Sequence, residues 1–371
     1  MSAIGPKRTC DHRFLCLIGR TGICNATGSI GACMKSLLLA TFLLFPVAIP
    51  AFADSEAEQI DQVFSNAAAD RKFSGNVLVV RNGLAIYEMS FGIADKGRQI
   101  PNTSGSRFSV ASVSKPFTAV AVLKLVEQRK LRLEDRLDGL FPELKSAAVA
   151  GVTVAQLLSH TSGIEEVVGK HLDRPLISDD LKTAVFASKP GDFQYSNSGY
   201  MVLKLVMEKV AGQTYEHLLD AFIFRPAGMT RSGLLRTGRT PQNLSLSYKT
   251  MESETSMASA IPLEVFDGAG TVYSTTGDLV KFDKALREKR LLKASTQVVM
   301  SSGHTPSGNW GYGWARDEQD GKILLAHQGD YNGYHAVLVR QVESQDLIII
   351  LSNLDTTNVS SLQKQVLEIL R

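Results

Sequence analysis

Three short groups of residues, far apart in the chain, are of the types that carry out acyl transfer. The first is Ser112-Val-Ser-Lys115. A serine hydroxyl is a weak nucleophile until a neighbouring base takes its proton, so it needs a partner within hydrogen-bond reach. Three residues along a helix supply that reach, which puts Lys115 one turn above Ser112 on the same face. A helix start also brings unpaired N–H groups and the positive end of the dipole beside the serine, where negative charge would develop. An amine at its reference pKa of ~10.4 is a poor base at neutral pH. Lys115 must therefore be desolvated, or set beside another cation, to act as one.

The second group, Tyr195-Ser196-Asn197, closes a loop just before an apolar helix. A phenol beside Ser112 and Lys115 could pass a proton between nucleophile, water and leaving group. Ser196 or Asn197 would also cap the helix, and such a cap would hold Tyr195 rigid. The third group is His327-Gln328-Gly329, at the end of a strand candidate, where the glycine lets a substrate lie close against the strand edge. A purely structural role for His327 is the alternative. The spacing of the first group recurs at Ser361-Leu-Gln-Lys364, but Ser361 opens a terminal amphipathic helix and has no companion motif. It is expected on a solvated face.

The elements that must position these groups follow from periodicity. After Asp54 a helical stretch precedes two alternating runs, Gly75 to Val80 and Leu84 to Phe91, joined by Arg81-Asn82-Gly83, a hairpin signal. Ser109 to Leu131 reads as a long apolar helix, Thr153 to Ser159 as a short one, and Ser198 to Val210 as an apolar helix closed by Gly212. Tyr215 to Phe224 is another, stopped by Pro226, and Thr240 to Ile261 reads as an irregular loop. Helical character returns at Thr276 to Arg287. Strands are expected at Tyr312 to Arg316, Lys322 to Ala326, Tyr334 to Arg340 and Leu347 to Ser352, then a terminal helix. The pattern implies an α/β (α+β) fold: an antiparallel sheet flanked by helices, built from both chain ends, with an inserted all-helical lobe. The sheet lobe is expected over about 54–113 and 268–371, and the helical lobe over about 114–267.

The start of the chain does not read like a folded domain. Met34 and Lys35, the apolar run Leu37 to Ile49 and the small-x-small triplet Ala51-Phe52-Ala53 resemble a signal peptide over residues 34–53. The apolar run is shorter than the ~20 residues a membrane span needs. Residues 1–33 are then expected to be an upstream extension outside the working protein, which is expected in the periplasm or secreted, with no stable membrane span once the signal is cleaved. All four cysteines, Cys10, Cys16, Cys24 and Cys33, precede Met34, so the segment from Asp54 has neither a disulfide framework nor a thiolate metal site. Residues 1–53 carry five basic side chains and one acidic one. Of the chain's 40 basic and 37 acidic residues, 35 and 36 remain beyond Ala53, a balance that leaves no basic footprint for nucleic acid.

Taken together, the three groups in this order resemble the serine β-lactamase and penicillin-binding protein superfamily, whose nucleophile motif is Ser-x-x-Lys. The middle motif is Tyr-x-Asn, so the chain looks closest to the class C β-lactamase, DD-peptidase and family VIII esterase branch. The resemblance extends over Leu157 to Gly163, Arg225 to Met229 and Gly268 to Asp278. It implies Ser112 as the acylated nucleophile, Lys115 as base or proton relay, Tyr195 as the second relay residue and Asn197 as the partner of the substrate amide. His327 falls where many members carry lysine, on the strand that binds the substrate carboxylate. Gly329 lies on the same strand, and the backbone N–H groups of Ser112 and Asp330 match the oxyanion hole. No metal or organic cofactor is implied, and the expected partner is a small-molecule or peptidoglycan-derived acyl substrate.

Departures from the pattern bear on substrate choice. A histidine at 327 loses part of the permanent positive charge that grips a carboxylate, and Gln328 and Asp330 are expected to disfavour anionic substrates further. Glu165 and Glu166 are read as a solvated surface. These features favour neutral esters or D-amino-acid derivatives over penicillins. An α/β-hydrolase is excluded by the lack of a Gly-x-Ser-x-Gly elbow, and a zinc hydrolase by the lack of His-Glu-x-x-His. A non-catalytic penicillin-binding sensor or scaffold remains the alternative from another functional class.

Overall fold

The computed structural model of the chain describes residues 55–166, 174–257, 262–319 and 321–371. The expected extension over 1–33, the expected export signal over 34–53 and the end of the 240–261 loop lie outside the described residues. Six strands form the main sheet: β1 (Gly75–Arg81), β2 (Leu84–Phe91), β3 (Ala315–Gln319), β4 (Lys322–Tyr331), β5 (Tyr334–Gln341) and β6 (Leu347–Ser352). Their order is β2-β1-β6-β5-β4-β3, with every pair of neighbours antiparallel. The β1–β6 pairing sets Gly75 opposite Ser352, so the sheet is built from both ends of the chain.

Five longer helices frame it: α1 (Glu56–Ala69), α2 (Ser114–Glu127), α3 (Asn197–Ala211), α4 (Thr276–Arg287) and α5 (Val359–Ile369). Alternation along the central strands sends successive side chains to opposite faces. Val77, Val79, Val337, Val339, Ile348 and Ile350 pack with Ile60 and Phe64 of α1 and with Val359, Leu362 and Val366 of α5. Leu78, Val80, Ala336, Leu338, Ile349 and Leu351 join the opposite core, which runs on through Phe117 of α2, Val202 of α3 and Phe282 of α4. Because both faces are covered, β1 and β6 are apolar on successive residues, not on alternate ones.

Helix α2 is the centre of this second core. Its residues Ser114 to Leu123 are all buried, as is Leu125, and a helix apolar all round belongs inside a protein. The single long helix expected from Ser109 begins as a tight 3₁₀ turn, Ala111–Val113, and becomes regular at Ser114. Helix α3 starts one residue earlier than its apolar period, capped by the Ser196 hydroxyl accepting from the Gly199 N–H, and ends at Gly212 with φ 65°. Residues 240–257 form no helix or strand.

One strand expectation moves. The segment read as Tyr312 to Arg316 enters the sheet only at Ala315. Gly313, at φ 81°, is pressed so closely on α2 that an added Cβ would lie 2.8 Å from the Ala119 Cβ, and chain held there cannot also pair in the sheet. Among the described residues no helix is long and apolar enough to cross a membrane.

Strand β3 pairs with β4 only as far as Ala326, which leaves residues 327–331 as an open sheet edge. That edge crosses the turn carrying Ser112. A Cβ at Gly329 would stand 2.3 Å from Val110 O and 2.8 Å from Ser112 N. The glycine therefore serves an approach of chain to chain, and not first the approach of substrate that the sequence suggests. Gly329→Ala should force the strand and the turn carrying Ser112 apart, lowering unfolding free energy by ~1–3 kcal/mol as overpacking does. Urea denaturation would measure that cost, and turnover should fall by a larger factor than the fraction unfolded explains.

Candidate active site

The 3₁₀ turn and the first turn of α2 decide how Ser112 and Lys115 meet. In a 3₁₀ turn, residues i and i+3 eclipse, and Lys115 Nζ lies 3.0 Å from Ser112 Oγ. The turn is entered through Ala111 at φ 45°. For a residue with a Cβ this left-handed conformation is strained. It lifts Ser112 into partial exposure while Ala111, Val113 and Lys115 stay buried.

The Lys115 amine is fully buried. Besides Ser112 it contacts Asn197 Oδ1 at 2.8 Å and Ala269 O at 3.0 Å. Burial pushes its pKa down from 10.5 to about 7, and the Glu166 charge opposes that shift. Both Asn197 Oδ1 and Ala269 O can only accept, so they take two N–H bonds from the amine. In the neutral amine those are the only N–H bonds available, and the remaining lone pair is left for the Ser112 O–H. The geometry thus orients a general base toward the serine. The carbonyl of Ala269 is held by the turn Gly268–Gly270. Gly268 O accepts from Thr118 Oγ1 of α2 at 2.6 Å, and Gly268, at φ 93°, lies so near α3 that a Cβ there would stand 2.2 Å from Tyr200 O.

Tyr195 precedes the α3 cap, and its ring lies 4.8 Å from Lys115 Nζ. The residue is 39% exposed, but the phenol end is partly desolvated, which raises its pKa while hydrogen bonding with Ser112 pulls the other way, so the ring keeps its proton. His160 fixes the ring from behind, stacked at 4.4 Å. Its Nδ1 accepts from the Ser196 N–H at 3.0 Å, and its own carbonyl accepts from the Gln194 N–H at 2.8 Å. Burial, with the Lys115 charge second, holds the His160 pKa well below 6.5, so the ring is neutral and works as an acceptor. Trp310 meets Tyr195 edge-on at 5.8 Å and His327 at 5.8 Å.

His327 is 4% exposed. Burial first, and the Lys115 charge second, drop its pKa to about 3. Its Nδ1–H donates to Gln328 O at 2.7 Å, which leaves Nε2 an acceptor, without a hydrogen-bond partner among the described residues. The position where many members carry a cation is therefore uncharged at working pH. Gln328 and Asp330 point to the other face, because β4 alternates with period two. Gln328 Nε2 donates to Gln363 of α5 at 2.8 Å, and Asp330 Oδ1 lies 2.5 Å from His335 Nδ1. The expectation that these two side chains disfavour anionic substrates at the site is thus corrected: both are engaged on the other face, and it is Gly329 between them that lies against Ser112.

A second correction concerns the acidic pair. Glu166 is half-buried, and its carboxylate accepts from the Asn197 N–H at 2.7 Å, the Ser198 N–H at 3.5 Å and the Ser198 hydroxyl at 3.1 Å. It is bound to the head of α3 and is not a solvated surface. The alternative Ser361–Lys364 pair lies on α5, where Ser361 N–H is capped by Asn358 and Lys364 reaches Glu368 at 3.9 Å on an exposed face.

The structure therefore brings Ser112, Lys115, Tyr195, Asn197, His327, Gly329 and the Asp330 backbone to one place. The family profile described as "Beta-lactamase" matches residues 60–370. The chain belongs to the beta-lactamase family. Within its superfamily, penicillin-binding protein 4* of Bacillus subtilis (strain 168) is 28% identical over 330 residues, 81% of this chain and 72% of the relative. The crystal structure of a penicillin binding protein from Bacillus halodurans superposes with a TM-score of 0.71 at 25% identity, over 85% of this chain and all of the other. A class C beta-lactamase shares the fold with a TM-score of 0.74 at 21% identity, over 86% of this chain and 98% of the other.

Sequence reasoning assigned no role to His160, Ala269, Trp310 or Glu166. The segments Leu157–Gly163 and Gly268–Asp278 were visible as family resemblance. Which atom of each meets the site depends on the fold.

Burying Lys115 has a cost with a definite sign. Its folded pKa of about 7 lies below the reference value of 10.5, so the unfolded chain holds the proton more tightly between those pH values. The penalty is complete below pH 7 and fades as pH rises toward 10.5. Lys115→Met should therefore gain stability relative to wild type as pH falls from 10 to 7, against a pH-independent cost for leaving Asn197 Oδ1 and Ala269 O without a donor. Chemical denaturation at each pH would read the change, and a difference between the two proteins that stays constant from pH 7 to 10 would contradict the lowered Lys115 pKa.

Proposed function

We propose that the protein is an exported serine hydrolase that forms an acyl-enzyme on Ser112 and prefers neutral acyl esters or D-amino-acid derivatives to penicillins. The observation that carries this reading is the hydrogen-bond inventory of Lys115, whose neutral amine has one lone pair and one O–H, that of Ser112, to receive. Attack by Ser112 Oγ on the substrate carbonyl moves its proton to Lys115. The oxyanion sits between the N–H groups of Ser112 and Asp330, a type of contact worth roughly 3–4 kcal/mol per donor. Tyr195, protonated and touching Ser112, gives its proton to the leaving group and regains one from the Lys115 ammonium. Water then reverses the sequence: its proton passes to the same base, the acyl group leaves on the new oxygen, and Ser112 is restored.

The substrate preference rests on His327. A neutral, buried imidazole gives a substrate carboxylate no positive charge to bind, which leaves uncharged substrates at less disadvantage. D-alanyl esters and amides, which present no carboxylate to His327, are included in this class, in keeping with the penicillin-binding relatives.

Turnover of p-nitrophenyl butyrate, nitrocefin and a D-Ala-D-Ala peptide should be compared for wild type and Ser112→Ala. The ester should lead, nitrocefin and the peptide, which both present a carboxylate to the neutral His327, should trail, and the alanine variant should lose at least ~10³-fold. Nitrocefin turnover matching that of the ester would sink the preference, and a permanently labelled, inactive wild type would make the protein a sensor. With the neutral ester, kcat/KM should climb with pH through an apparent pKa near 7, set by Lys115. His327→Lys should raise nitrocefin turnover relative to ester by about tenfold, the value of one hydrogen bond to a charged group.

A further inference from the structure

We infer that Glu166 is a positioning residue for the acyl-transfer reaction, acting through the head of α3 on Asn197 and, through Asn197, on Lys115. This inference rests on the reading of Ser112 and Lys115 as nucleophile and base.

The argument begins with the unpaired N–H groups at a helix start. The first turn of α3 has three of them to satisfy, at Asn197, Ser198 and Gly199. The Ser196 cap takes only the Gly199 N–H. The other two go to a single carboxylate oxygen of Glu166, while its second oxygen accepts from the Ser198 hydroxyl. Glu166 comes from 31 residues earlier in the chain, on the segment that follows the His160 loop. It therefore ties that loop to the helix head. Negative charge at this end of a helix is favourable, and the bond to Asn197 N–H fixes the residue whose side-chain oxygen holds the Lys115 amine at 2.8 Å.

The same carboxylate acts on the base by its charge. Around Lys115 stand the rings of Tyr195 and Tyr200, at 4.8 and 5.7 Å, and the neutral His160 and His327. Asp330 stands beyond Tyr195, engaged with His335. Among these groups Glu166 is the anion that bears on the Lys115 amine, and it favours the ammonium form against the burial that opposes it. Without that charge, burial would act alone. Glu166 thus sets two things at once: where Asn197 holds the amine, and at which pH the amine becomes free to accept a proton.

The two effects separate in two variants. In Glu166→Gln the amide oxygen can still accept from both N–H groups, and the amide N–H can donate to the Ser198 hydroxyl, so the tether remains and the charge goes. In Glu166→Ala both are lost. The full chain is assayed with p-nitrophenyl butyrate from pH 5 to 9, and the Lys115 side chain is titrated independently by ¹³Cε NMR. For Glu166→Gln, the acid limb of kcat/KM and the Lys115 titration should both move to lower pH by about one unit, as loss of a nearby opposite charge requires. Glu166→Ala should lose at least tenfold in kcat with less change in KM, and Gln should recover most of that loss.

An acid limb and a Lys115 titration that stay in place in Glu166→Gln, in an active enzyme, would overturn the inference, as would a Gln variant no better than Ala in kcat. If hydrolysis were absent in wild type while the NMR titration still moved in Glu166→Gln, the assignment of activity would fail and the link between Glu166 and Lys115 would stand.

Discussion

One amine, removed from water and surrounded by two carbonyl-type acceptors and one hydroxyl, constrains the rest of this molecule. Lys115 can lie fully buried only because Asn197 Oδ1 and Ala269 O satisfy its N–H bonds. Those acceptors come from different parts of the chain, the head of α3 and the turn at 268–270, and each must be held to within a few tenths of an ångström. Much of the local architecture reads as a solution to that demand. Thr118 grips the turn from α2, Ser196 caps the helix and Glu166 closes it. A glycine without a Cβ lets the turn reach α3.

The opposite wall of the site is made by subtraction. Strand β4 loses its outer partner after Ala326, and Gly329 allows its bare edge to lie against the turn of Ser112. The two walls bring different chemistry to one serine. On the helix side are a buried amine and a partly exposed phenol, and on the strand side are an open backbone edge and a neutral imidazole. The burial that lowers the pKa of Lys115 also strips His327 of charge. The lowered pKa of the amine and the missing charge on the imidazole thus share one physical origin.

Much of this was legible in the sequence, because the relevant signals are local. Helix period, the Arg81-Asn82-Gly83 turn, the Gly212 stop and the Ser-x-x-Lys spacing each depend on a few neighbouring residues. So did the composition of the sheet from both chain ends, since the apolar runs sit there and the helical ones between. What was not legible depends on pairing at long range. Nothing near Glu166 in the chain says that it meets the head of α3, and nothing near His160 says that its ring stacks on Tyr195. Gln328 and Asp330 were misplaced for a simpler reason: adjacency to His327 in a strand puts their side chains on the far face. The strand expected at Tyr312 was delayed to Ala315 because Gly313 is held by α2.

The pairing of Gly75 with Ser352 also governs when the site can exist. A chain synthesised from its N-terminus makes β1 and β2 first, yet β1 finds its central neighbour only when β6, near the end, has been made. Contacts of such sequence separation form slowly, and the strand edge facing Ser112 is fixed in the same late step. The helices between can gather around α2 beforehand, with the serine and lysine already adjacent. The opposing wall arrives last, so an unfinished chain holds Ser112 and Lys115 side by side without the strand edge that faces them.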